Sequence, residues 1–154
     1  MTRTPSEIIR FQTLQEAHRV SLAVAQRLPN PYAVAQGLSE LMINAIEHGN
    51  LGITYEEKTR LLLDGTWEAE IKRRLALPEN REKYATLEYM AHPHEHVLII
   101  RDQGCGFDWK HYLEFPPERA LDPNGRGIAI SKSFAFSNIE YQGNGNTVVC
   151  RIIK

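Results

Sequence analysis

Three carboxylate or carboxamide side chains, Glu40, Asn44 and Glu47, recur at near-helical spacing in the stretch following Pro31. At about 100° per residue they lie within about 60° of one another. Leu38, Leu41, Met42, Ala45 and Ile46 take the opposite, apolar side. Asn is a weak helix former, so an interior Asn invites a reason. A carboxylate and a carboxamide one turn apart can face a shared ligand; a solvated polar face is the alternative. A second group is Asp102-Gln-Gly104-Cys-Gly106-Phe107, directly after the apolar run Val97–Ile100. There the acid can accept from an amino group, and the glycines let backbone approach a flat ligand closely. A tight turn would use the same residue types. A third group, Gly125-Arg126-Gly127-Ile128, precedes a helical pattern. Amide N–H groups at such a helix start can cradle an anion, with Arg126 adding charge; an ordinary loop-to-helix junction is the plainer reading. Thr147 opens the last strand pattern, a position that is usually structural.

These groups need elements to hold them. Ile8–Gln12 reads as a short first strand. Thr13-x-x-Glu16 is a capping box for a helix that Pro29 stops. Asn30 offers a side-chain cap and Pro31 suits the first turn of a second helix, predicted over Tyr32–His48. Gly49-Asn50, residues that tolerate left-handed backbone, would end it. Thr54–Lys83 is helical and charged: Glu56 to Lys83 holds seven acids and seven bases. Within it Thr54 and Thr66 are cap candidates, Gly65 a break and Pro78 a stop. The period then changes to that of strands at Thr86–Met90 and Val97–Arg101. Gly127–Ser137 reads as helix, and Asn138–Gln142 with Thr147–Ile153 as a closing hairpin. Helices followed by a largely antiparallel sheet favour an α+β two-layer sandwich. The expectation is a mixed, mostly antiparallel sheet with helices on one face, in one domain spanning 1–154.

Bulk properties narrow the function. The 154 residues carry a formal net charge of -1, so no overall field draws the chain to nucleic acid or to an anionic membrane. No apolar run reaches the roughly 18–20 residues that span a bilayer. The first ten residues lack a signal-peptide pattern, and Cys105 and Cys150 form neither a disulfide scaffold nor a metal motif. A cytoplasmic setting is expected. Neither G-x-x-x-x-G-K-[ST] nor G-x-G-x-x-G occurs. His92-Pro-His94-Glu-His96 reads as an exposed connection rather than a metal site. Trp67 and Leu61–Leu63 suit either local packing or a partner surface.

Taken in order, the chemical groups resemble the GHKL ATPase/kinase superfamily, the Bergerat ATP-binding fold shared by gyrase and histidine kinases. Glu40-Leu-Met-Ile-Asn44-Ala-Ile-Glu47-His48-Gly49-Asn50 resembles its N box, and the segments at Asp102 and Gly125 resemble its two glycine boxes. The forms NAxxHGN and GRGI are most similar to the anti-sigma-factor serine/threonine kinases of bacterial partner switching. The resemblance spans Phe11 to Ile153.

It implies ATP and Mg²⁺ as cofactors, with Asn44 holding the metal and Glu40 taking the proton from a protein hydroxyl. Glu47 and His48 would stand beside the nucleotide. Asp102 would accept the adenine amino group, with Thr147 at the same end through water. Gly104, Gly106 and Phe107 would shape the base pocket, and Gly125, Arg126, Gly127 and Ile128 would close a lid (about 109–124) over the phosphates. The implied partners are an anti-sigma-factor antagonist as substrate, a sigma factor, and a second copy in a homodimer. The long 54–83 insert departs from the compact kinases of that family and bears on partner docking. An ATP-binding module that sequesters a partner without chemistry is the alternative. The catalytic half of a histidine kinase would need a phosphoacceptor hairpin that the thirty-odd residues before the N box do not accommodate.

Overall fold

The computed structural model describes residues 5–104, 136–142 and 146–154. Strand β1 (Ser6–Phe11) leads into helix α1 (Leu14–Ala25) and helix α2 (Pro31–Asn44). A widened, π-helical turn (Ala45–Asn50) extends α2 and is followed by α3 (Tyr55–Asp64) and α4 (Trp67–Leu75). Strands β2 (Ala85–Ala91), β3 (Glu95–Arg101), β4 (Asn138–Gln142) and β5 (Thr147–Ile153) complete the described elements. The five strands form one sheet in the order β1-β2-β3-β5-β4, and every pairing is antiparallel. The α+β layering is as the sequence predicts.

The register explains the layers. Leu87 faces Ile100, which faces Val148; Tyr89 faces Leu98, which faces Cys150. Cross-strand partners share a face, so these side chains form one apolar surface. Against it pack Val20 and Val24 of α1 with Leu38, Leu41, Met42 and Ile46, all buried. The apolar side of α2 read from the sequence is therefore the core side. Burying each such side chain contributes roughly 1.5–3 kcal/mol.

Local signals set several boundaries. Both capping boxes form: Thr13 with Glu16, and Thr54 with Glu57. Gly65 closes α3 at φ 73, the left-handed value glycine adopts freely. Asn30 behaves otherwise than predicted. It starts α2 but stands in left-handed backbone (φ 52) and makes no side-chain cap bond. At that φ its amide is not aimed at the first free N–H groups, so Pro31, with no N–H to satisfy, does the starting. Thr66 likewise precedes α4 without a side-chain cap, and α4 ends at Leu75, before Pro78. The helix predicted over 127–137 falls mainly outside the described residues; Phe136 and Ser137 are not helical, and Phe136 is in the core.

Candidate functional site

The expected helix 32–48 changes character at Asn44. From there the backbone winds more loosely, and Leu51 N–H donates to Ile46 O, five residues back, at 2.9 Å. A π turn advances fewer degrees per residue than an α-helix, and such turns are frequent at functional sites. The angular argument that grouped Glu47 with Glu40 and Asn44 thus holds only as far as Asn44. The chain stays right-handed through Gly49, Asn50 and Leu51, and turns left-handed only at the following Gly52 (φ +66). Gly49 is therefore not a helix stop.

Its role is close approach. A Cβ at Gly49 would lie 2.3 Å from Cγ of Asp102, and one at Gly104 would lie 2.0 Å from the Gly49 carbonyl oxygen. Asn50 Oδ1 accepts from the Gln103 amide at 2.8 Å, and Gly104 N–H donates to Asp102 Oδ1 at 2.8 Å. The segment starting at Asp102 is thus laid directly on the π turn. Burial raises the Asp102 carboxyl to about 6, against the opposing hydrogen bond from Gly104.

Asn44 is buried, with 6% exposure, and among the described residues its carboxamide has no hydrogen-bond partner. Buried polar groups are nearly always satisfied, so this one is suited to an external partner. One turn earlier, Glu40 is half-buried and forms no ion pair among the described residues. Burial raises its carboxyl above the ordinary carboxylate range; the Lys58 ammonium opposes that shift and the Glu47 carboxylate adds to it. Glu40 borders a groove between α1 and α2 of about 530 Å³, with His18, Tyr32 and Ser39 on its walls.

Glu47 and His48 are neither solvated nor free. Glu47 has 0% exposure; its carboxylate pairs with Lys58 and accepts from Trp67 Nε1 at 2.8 Å. His48 is buried with Nδ1 against the Ile53 carbonyl oxygen, and burial depresses its pKa. Glu47 is committed to the protein's own 54–83 segment, and His48 to the Ile53 carbonyl just before it. Lys58 carried no functional signal in the sequence, and Trp67 only the choice between local packing and a partner surface, because nothing there showed what they would meet.

Thr147 pairs with Arg101, at the same end of the sheet as Asp102, whose N–H donates to Asn146 O at 3.0 Å. Cross-strand partners share a face, so Thr147 lies on the Arg101 side of the sheet, opposite Ile100 and Val148. Gly106, Phe107, Gly125, Arg126, Gly127 and Ile128, the 109–124 lid segment and Cys105 fall outside the described residues. The His92–His96 connection closes β2 onto β3, with His92 N–H donating to Glu95 O at 2.8 Å. Trp67 and Leu61 pack against the core, whereas Leu63 is 75% exposed. No described helix is long and apolar enough to cross a membrane.

Comparison with protein families matches residues 10–152 to the histidine kinase-like ATPase domain. No curated protein matches the chain.

Proposed function

The chain belongs to the histidine kinase-like ATPase domain family, and from that premise we propose that it is a Mg-ATP-dependent protein serine/threonine kinase of partner-switching regulation. The substrate in this reading is an anti-sigma-factor antagonist, and a sigma factor and a second copy of the chain are further partners. The observation that carries the proposal is the pairing, on one helix, of a buried Asn44 with a half-buried Glu40 one turn away, neither side chain having a hydrogen-bond or ion-pair partner among the described residues.

Asn44 supplies a neutral hard oxygen, the donor type that magnesium takes alongside phosphate oxygens. Its carboxamide, buried and without a partner among the described residues, fits that role. Bound magnesium would neutralise charge on the phosphates, a main source of rate in phosphoryl transfer. Glu40 faces the open groove and is the base in this scheme. It takes the hydroxyl proton of a serine or threonine as the oxygen–phosphorus bond forms and the γ-phosphoryl leaves ADP. A base needs reach and a pKa not far below the working pH, and burial moves Glu40 in that direction. Asp102 accepts the adenine amino group against the Gly49–Gly104 contact. Glu47 and His48, committed to other partners, take no direct part, and Thr147 is given none. Gly106, Phe107, Gly125, Arg126, Gly127 and Ile128 keep the pocket and lid roles that the family resemblance implies.

The test is transfer of labelled γ-phosphate from Mg-ATP to an antagonist-type acceptor protein. Transfer by the wild type and its loss in Glu40→Gln are expected. No transfer by the wild type, with Mg-ATP still bound, would leave the sequestering module as the reading. The apolar rim of the α1–α2 groove, Leu22 at 44% and Tyr32 at 87% exposure, would suit a captured partner in either case.

A further inference from the structure

Of the side chains outside the proposed chemistry, Glu47 is the most demanding. A carboxylate with no exposure costs several kcal/mol to bury unless it is well paired. Its two hydrogen-bond donors come from the 54–83 segment, Lys58 from α3 and Trp67 from α4, while His48 Nε2 lies farther off at 3.4 Å. Lys58 also sits over the Trp67 ring, 5.3 Å from its centroid, so the two partners brace each other. The same segment grips the π turn and its exit at two more points. Lys83 Nζ donates to Asn50 O at 3.1 Å, and Arg74 Nη1 donates to Leu51 O at 3.3 Å. On its other side the turn meets Asp102 and Gly104 through Gly49, and Gln103 through Asn50. The turn is therefore held by the insert on one side and seats the Asp102 segment on the other.

We infer that Lys58 and Trp67 are positioning residues: by clamping Glu47 they fix the π turn, and through Gly49 and Asn50 they set the Asp102 segment that receives the base of the nucleotide. The nucleotide part of this inference rests on the assignment of Asp102 to the adenine amino group. The mechanical part does not. Each link is a direct contact, so coupling requires no distant pathway. Coupling between two sites is reciprocal: if the clamp sets the base pocket, an occupied pocket must be felt at the clamp. The charged insert thereby becomes an input to the site, through which whatever binds α3 and α4 alters affinity for ATP.

The full chain carrying E47Q/K58M tests this, since the pair of changes removes the clamp without leaving a lone buried charge. K58R is the conservative rescue, and E56A, an exposed change on α3, is the control. The ligand-free readout is hydrogen exchange. The Gln103 and Gly104 amides should exchange about fivefold or more faster in E47Q/K58M, a factor typical of coupled sites, while the core amide of Leu98 is unchanged. The second readout is calorimetry with Mg-ATP and Mg-GTP. ATP affinity should fall by about fivefold or more with a narrowed preference over GTP, K58R should restore most of both, and E56A should match the wild type. In a W109F background, ATP should change Trp67 emission, and E47Q/K58M should abolish that response. Should E47Q/K58M not fold, W67F, which deletes one donor to Glu47, is measured in the same ways. Unchanged exchange at Gln103 and Gly104 overturns the clamp. Faster exchange with ATP affinity and preference unchanged overturns its link to the base pocket. A wild type that binds no adenine nucleotide overturns the assignment of Asp102, and exchange alone then decides the clamp.

Discussion

Gly49 and Asp102, more than fifty residues apart in sequence, approach so closely that a methyl group on the glycine would lie within 2.6 Å of all three carboxylate atoms. The contact joins the end of the long second helix to the end of a central strand. Gly49→Ala should therefore push Asp102 away, costing roughly 1–3 kcal/mol in overpacking and at least about tenfold in ATP affinity. Gly104→Ala should do the same, since its methyl would meet the Gly49 carbonyl. Gly52→Ala is the comparison. It faces open space but sits at φ +66, so it should cost stability without changing ATP affinity. Denaturant melts and calorimetry on the three variants separate these outcomes.

Asp102 also predicts a dependence on pH. Its folded pKa, about 6, lies above its ordinary value of 3.8, so the fold favours the protonated acid. That contribution is full below about pH 4 and is lost as pH rises through about 6. Asp102→Asn keeps an acceptor for Gly104 and carries no charge. It should be more stable than the wild type by about 1–3 kcal/mol at pH 8, with the gain vanishing near pH 4. The same variant should bind ATP more weakly, because an amide presents a single acceptor oxygen. Urea unfolding at the two pH values, beside ATP titration, checks both halves.

For Glu40→Gln the proposed chemistry predicts a clean separation. Nucleotide binding should persist, and transfer should fall by about 10²–10⁴-fold, the usual contribution of a general base. In the wild type, transfer should decline as acid protonates Glu40. Because burial raises this carboxyl, the decline should begin above the ordinary carboxylate range. A pH–rate profile for the wild type, with its acid limb missing from the residual rate of Glu40→Gln, would bear this out.

Asn30 offers a test of the backbone alone. Its left-handed conformation costs an ordinary residue roughly 1–2 kcal/mol and costs Asn less. With no side-chain cap bond to lose, Asn30→Gly should be nearly neutral and Asn30→Ala destabilising by about 1 kcal/mol. A helix capped through the Asn30 amide would accept Asn30→Ser without loss, whereas the left-handed backbone makes that change cost about 1 kcal/mol, so thermal melts of the serine variant beside the glycine one decide the point.

Much of the architecture was legible in the chain because it is written in local codes. Thr13 and Thr54 satisfy amides within three residues of themselves, so their capping boxes can be read without knowing the fold. The strand alternation around Leu87, Leu98 and Val148 and the apolar side of α2 follow from periods of two and of about 3.6 residues. Asn30 is the instructive exception. Its residue type suits two different jobs at a helix start, and only the φ it adopts says which one it does.

The sequence by itself determined which residues could do chemistry: Glu40 and Asn44 one turn apart, and an acid followed by glycines at the end of an apolar strand. Tertiary structure decided what each of them faces. Glu47 reads as part of the same polar stripe until the π turn rotates it toward Lys58 and Trp67, and Gly49 reads as a helix stop until Asp102 is laid against it. The physical reason is range. Caps and periodicity act within about a turn and are encoded where they act, whereas desolvation and steric contact depend on whatever the fold brings alongside.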